Sequence, residues 1–437
     1  MYEFKEKCLN DNWTATGNDM EELKDVLSAM NSVTSFVKMK TGDISLLSLI
    51  GTDHTDYVAP DGTKEENIEV IDSIYLNPVN LPSENLSLPL NANIKRFRSP
   101  SIDEGLLDEW KNKTKLALLC SNKAGAQILY FTSGSALQTM DRFKMSGEFL
   151  LTPCLERDMM IAKRFSEDLG VTAVIRSVGK IRKIFTILSD KYAHIDQEES
   201  LFRVIKQIED AGEMGKCKCY RWEVSNFFTK LYVEFPEKAE ALSKLYGLSR
   251  EMIPGIMITT SDTGDASFTV RGTWRAEGSN SLAVNSEVKR KHIGEIDINK
   301  IVDDITNDIF AEYAKLPEAL CNLMSNDVTD TAWDLTTSAG VQANASELDK
   351  VLKTAFKRLN IVKAIGKKTE KVLRQEILDE LNPSVRYTQY DIAMLIMGLP
   401  ERVVFMDKGK DIALLQKACG QAPFIDYTVD KTVILTA

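Results

Sequence analysis

The chain has 437 residues, 43% of them hydrophobic and 27% charged, with 64 acidic against 54 basic side chains and a formal net charge of −10. That length predicts two or three domains of roughly 100–200 residues each, and the composition excludes wholesale disorder. The acidic balance excludes a surface that coats nucleic acid everywhere and confines any such role to local basic patches.

Apolar runs such as Ile392–Leu399 fall well short of the ~18–20 residues that cross a bilayer, so no membrane partner is expected. The start, from Met1 to Lys7, lacks the basic, apolar and small-residue succession of a secretory signal, which gives a cytoplasmic expectation. The seven cysteines at 8, 120, 154, 217, 219, 321 and 419 are odd in number and scattered, unlike a secreted disulfide framework. Cys217 and Cys219 form the only close pair. Without a second pair or a histidine cluster they fall short of a zinc signature, and no metal or cofactor is expected.

Met20–Met30 reads as a helix with Leu23, Val26, Leu27 and Met30 on one face. Leu46–Ile50 and Ile68–Ile74 read as strands around the Pro60–Thr63 turn, and the proline-rich stretch 78–100 reads as an extended arm. Asp53, His54 and Asp56 read as turn and loop chemistry more readily than as a catalytic cluster. Leu116–Cys120 and Ala126–Phe131 read as strands, Ser133–Lys144 as a helix, and Arg157–Leu169 as a helix stopped by Gly170. Thr172–Ser177 and Lys183–Leu188 follow as strands, then a helix over Ser200–Asp210. Strands are expected over Cys217–Ser225, Phe227–Phe235, Gly255–Thr259 and Ala266–Trp274, with a helix over Pro236–Leu245. Cys217, Cys219 and Arg221 should share one strand face and Lys218, Tyr220 and Trp222 the other. Asp327–Ala345 reads as a flexible join, Ser346 as a helix start, Gly366 as a break, and Thr432–Ala437 as a terminal strand suited to pairing with another subunit. The expected class is α+β, a mixed or antiparallel sheet core with flanking helices and a helical C-terminal region. The expected domains are 1–100, 101–320 and 321–437.

Two basic clusters are candidate nucleic-acid contacts. One is Arg275, Asn280, Arg290, Lys291 and His292, which offers forked and paired hydrogen-bond geometry for phosphates or base edges. The other lies in 353–374, where Lys357, Arg358, Lys363, Lys367, Lys368 and Lys371 accompany Lys353 and Arg374 against the single acid Glu370. A weaker patch holds Arg176, Lys180, Arg182 and Lys183. Neither a phosphate-binding glycine loop nor a Ser-His-Asp pattern is present.

Several steps of the middle region share a pattern. Arg176 closes a strand; Asp190, Lys191 and Tyr192 follow a turn; Asp262, Thr263 and Gly264 form another. Then come Arg275, Gly278, Asn280, Ser281 and Leu282, and the basic run Lys289–His292. Over residues 115–320 this succession resembles the phage/plasmid-like family defined by domain of unknown function 932, with Ser133–Arg142 and Gly147–Leu169 similar to its helix pair. Gly278 stands where many relatives carry cysteine. The resemblance implies a bacteriophage or plasmid accessory protein in a host bacterial cytoplasm. With the basic helix it gives the leading expectation of a non-enzymatic, oligomeric protein that binds nucleic acid, single-stranded DNA above all. A self-assembling or host-defence-blocking protein acting through phage or host protein contacts is the alternative. An enzyme with a site around Arg275, Asn280 and His292 is the second.

Overall fold

A computed structural model gives the fold and describes residues 7–10, 13–41, 45–58, 62–76, 95–100, 116–122, 125–142, 144–145, 155–165, 167, 169–179, 181–192, 194–212, 214–239, 252–264, 266–276, 283–291, 297–329, 332–406 and 412–429. The described elements begin with β1 (Thr14–Gly17), α1 (Met20–Val33), β2 (Thr34–Lys40), β3 (Ser45–Val58), β4 (Lys64–Leu76), β5 (Lys95–Pro100), β6 (Leu116–Asn122) and β7 (Gly125–Phe131). Next are α2 (Ser133–Arg142), α3 (Leu155–Phe165), β8 (Gly170–Val178), β9 (Ile181–Ser189), α4 (Gln197–Ala211), β10 (Lys218–Ser225), β11 (Thr229–Glu234), β12 (Met252–Thr260), β13 (Phe268–Ala276) and β14 (Ala283–Arg290). Helices close the chain: α5 (Ile298–Asp304), a π-helical turn (Ile305–Phe310), α6 (Ala311–Met324), α7 (Ser338–Arg358), α8 (Ile361–Glu380), α9 (Gln389–Met397), α10 (Leu399–Met406), α11 (Ile412–Gly420) and a 3₁₀ turn (Ala422–Phe424).

The strands form two sheets. One has six strands in the order β1-β10-β11-β12-β13-β14, antiparallel throughout. The other has eight in the order β2-β8-β9-β7-β6-β3-β4-β5, antiparallel except where β7 runs parallel to β9. The protein is therefore α+β, with antiparallel sheets and helices grouped toward the C-terminal end. The boundary expected near residue 100 falls within the larger sheet, because β2 to β5 precede it and β6 to β9 follow it. Long-range antiparallel pairing of β2 with β8 and of β3 with β6 joins the first hundred residues to the strands after them.

Two apolar cores follow from these layers. The larger joins α1, α4, the six-stranded sheet and the C-terminal helices through residues such as Leu23, Val204, Trp222, Trp274, Leu316, Leu352 and Ile396. The smaller lies between the eight-stranded sheet and α2 and α3, around Phe131, Met140, Ile161, Ile175 and Ile184. Ser48 on β3 donates to Asp158 on α3 at 2.6 Å, which satisfies a carboxylate fully removed from solvent. Side chains the size of Trp222 and Trp274, both buried, each contribute about 3 kcal/mol on burial, so the six-stranded sheet is a major store of stability.

Several expectations meet a different local geometry. Gly170 does not stop α3, which ends at Phe165; it opens β8 opposite Lys40. Residues 95–100 of the proline-rich stretch form edge strand β5, where Pro100 sits opposite Val70 without breaking a central ladder. In β10 a bulge between Cys219 and Arg221 resets the alternation. Cys219 and Trp222 consequently both pack on the larger core, three residues apart. Helix α7 begins well before Ser346: Thr337 caps it by accepting from the Gly340 N–H at 3.1 Å. A Cβ on Gly340 would lie 2.1 Å from the Asp334 carbonyl oxygen, so that first turn requires glycine. Most of the expected 236–245 helix and all of the expected terminal strand lie outside the described residues.

Candidate nucleic-acid interface

Helix α7 turns Leu348, Val351, Leu352, Ala355 and Phe356 into the core, which leaves its basic residues on the outer side. Asn360 takes a left-handed conformation between α7 and α8. Gly366 then breaks α8 at φ 78°, ψ 160°, a backbone region essentially restricted to glycine, and the helix resumes directly after it. Lys363 stands just before this break, and Lys367, Lys368 and Lys371 just after it. On a helix at 3.6 residues per turn the last three fall within an arc of about 100°.

The eight cations of 353–374 divide into two sets. Lys353 meets Asp349 at 2.5 Å, Arg374 bridges Asp349 and Glu370, and Arg358 reaches both the Asp426 carbonyl and its carboxylate. Lys357, Lys363, Lys367, Lys368 and Lys371 are exposed, and none forms an ion pair among the described residues. Two of them, Lys367 and Lys368, stand in the first turn of a helical segment, where the backbone dipole favours acidic side chains, and Lys371 follows in the next turn. Each such placement costs roughly 0.3–1 kcal/mol, and neighbouring like charges add to that cost. The ridge is therefore locally unfavourable until an anion covers it.

In the other basic cluster the two described arginines do not come together. Arg275 forks onto Glu234 at 2.5 and 3.1 Å and lies 4.5 Å from the Tyr220 ring centroid, with 13% of its side chain exposed. Arg290 is held by Asp304 and by the Lys289 carbonyl. Arg290 faces Phe268 across the β13–β14 ladder, and Arg275 lies seven residues farther along β13, roughly 24 Å away at the rise of a strand. Lys291 is exposed, while Asn280 and His292 lie outside the described residues. Both arginines serve internal carboxylates.

Steps of the sequence pattern that lie far apart in the chain do converge where the two sheets meet. Arg176, on β8 and fully buried, donates to the Asn226 side chain and carbonyl and lies 4.4 Å from the Phe185 ring centroid. Tyr192 donates to the carbonyls of Ser261 at 2.9 Å and Asp262 at 3.3 Å. His194 stacks 3.9 Å from the Phe36 ring and places Nε2 3.9 Å from the Asp262 carboxylate. Burial pushes the Asp262 carboxyl above its ordinary range, against the opposing pull of Gln197, Arg176 and His194. Burial likewise lowers the pKa of the Arg176 guanidinium, with Asp262 opposing. Gly264 (φ 79°) lets the Asp262 turn press on Leu188, since a Cβ there would come within 2.8 Å of it. The cluster clasps one sheet to the other. Its pieces were visible in the sequence, but His194, Gln197 and Asn226, which complete it, carried no signal there.

Burial pushes the Cys217 thiol up to about 12 and the Cys219 thiol to about 11, so both are poor nucleophiles. Among the described residues no group of three or more His, Cys, Asp or Glu side chains is placed to hold a metal ion. No helix among them is long and apolar enough to cross a membrane. Compared with family models, curated proteins and solved structures, the chain matches none.

Proposed function

We propose that this chain is a non-enzymatic accessory protein of a bacteriophage or plasmid that binds nucleic acid, single-stranded DNA in particular, through the Lys357–Lys371 ridge. The observation that carries the reading is the set of five exposed lysines without an ion-pair partner among the described residues, on a chain whose acids outnumber its bases by 64 to 54. With acids that abundant, leaving these cations unneutralised favours an external polyanion. The phage or plasmid setting rests on the sequence resemblance alone. The double charge reversal Lys367→Glu with Lys368→Glu tests the reading. It should weaken binding of a labelled oligothymidylate at least tenfold while the unfolding midpoint stays put, and unchanged affinity would count against the ridge.

A second reading, self-assembly through protein contacts, is favoured by one feature. Among the described residues, His54–Val58 and Lys64–Glu69 pair only with each other, as a two-stranded ribbon beyond the eight-stranded sheet. Such ribbons are marginal in water alone. Shortening this one should lower the mass measured by light scattering if it joins subunits; a constant mass would remove this reading.

A further inference from the structure

Seven large apolar side chains stand exposed among the described residues, six of them aliphatic and one aromatic, Phe424 at 40%. That ring is presented by an anchored turn. Ala422 and Pro423 are buried, the Phe424 N–H donates to the Gln421 carbonyl at 3.0 Å, and the buried Tyr427 hydroxyl donates to the Ala422 carbonyl at 2.9 Å. Arg358, next to Lys357 at the end of α7, donates to the Asp426 carbonyl and pairs with its carboxylate. Hydrogen bonds from the Thr428 hydroxyl and N–H, reinforced by Arg358, hold the Asp426 carboxyl below the usual carboxylate range. The acid beside the ring is thereby neutralised by a partner. Only Ile425 separates Phe424 from Asp426, a Cα span of about 7 Å at most. The exposed aromatic is thus fastened near the end of α7 that carries Lys357 and Arg358, although Phe424 lies 66 positions after Arg358 in the chain.

We infer that Phe424 is a base-stacking residue, and that the ridge takes single-stranded nucleic acid with its phosphates on the lysines and one unpaired base on this ring. The inference rests on the nucleic-acid reading and deepens it. Sites for single strands combine a basic track with aromatic faces, because every base offers a π-face and stacking needs no particular sequence. In a duplex the bases are already stacked on one another, so the ring has no partner there. A turn anchored by hydrogen bonds also suits the role, since less loop freedom is then lost when the base arrives.

The test compares three fluorescent probes on the full chain: an oligothymidylate, the same backbone without bases, and a duplex of equal length. Phe424→Ala should weaken oligothymidylate binding about 5- to 100-fold, the worth of one stacked base, and leave the abasic and duplex affinities within a factor of two. Phe424→Trp should restore oligothymidylate binding. A Phe424→Ala protein that binds oligothymidylate as the parent does, while Lys367→Glu with Lys368→Glu still weakens binding at least tenfold, overturns the stacking role and leaves the ridge standing. Equal losses on all three probes overturn it too, because the ring would then be supporting the ridge rather than reading a base. If the lysine reversal changes nothing on any probe, the nucleic-acid reading itself fails.

Discussion

Arg176 and Lys367 carry the same charge in opposite surroundings, and the contrast separates a cation that builds the fold from one left for a partner. Arg176 is fully buried between two sheets, with an amide, a carbonyl, an aromatic face and the field of Asp262 around it. Lys367 is exposed at a break in a helix, among other lysines, with no carboxylate paired to it among the described residues. Charge counted along the chain marks both regions as basic patches and differs between them only in number. What distinguishes them is whether the fold delivers an acceptor, as it does for Arg275 through Glu234 and for Arg290 through Asp304.

The largest expected effect lies on the buried side of this contrast. Arg176→Leu removes the one cation facing the buried Asp262 carboxyl from β8 and should cost about 3–5 kcal/mol in urea unfolding, as for other broken buried ion networks. A loss under 1 kcal/mol would mean that the clasp does not hold the sheets together. Gly366→Ala comes next. The open space around it means that the cost is backbone strain alone, about 1–3 kcal/mol, and straightening the break should also disperse the lysines and weaken oligonucleotide binding. Arg275→Gln should cost roughly 1–3 kcal/mol through the unpaired Glu234 and leave oligonucleotide affinity unchanged; lost affinity with intact folding would return Arg275 to the interface.

The smallest effect is a pH dependence. Since burial raises the folded-state pKa of Asp262, its contribution to stability is complete below the unfolded value near ~3.9 and is lost as pH rises through the folded value. Asp262→Asn removes that titration. The difference in unfolding free energy between variant and parent should therefore move in the variant's favour as pH rises from about 4. A flat difference would show that Arg176, His194 and Gln197 fully offset the desolvation of the carboxylate.

Much of the fold was legible because local chemistry and final structure agree. The α1 stripe, the β3–β4, β6–β7 and β8–β9 hairpins and the Gly366 break all depend on neighbours in the chain. Errors arose where a distant element decides. Gly170 looks like a helix stop until β2 claims it as a strand residue, and the Cys219–Trp222 face changes because a bulge adds a residue to the ladder. The lysine ridge was legible as a basic run, but which of its members are occupied was not, since Asp349 lies 25 residues from Arg374 and Asp426 lies 68 from Arg358. Exposure of Phe424 likewise depends on the packing of Pro423 and Tyr427.

The most direct test of the central claim is the salt dependence of oligothymidylate affinity for the parent and for Lys367→Glu with Lys368→Glu. Five lysines on single-strand phosphates give a slope of log K against log salt of about −3.5, which should become shallower, to about −2, in the variant. A parent slope near zero, or a steep slope that the reversal leaves unchanged, would contradict the assignment of the ridge as the nucleic-acid surface.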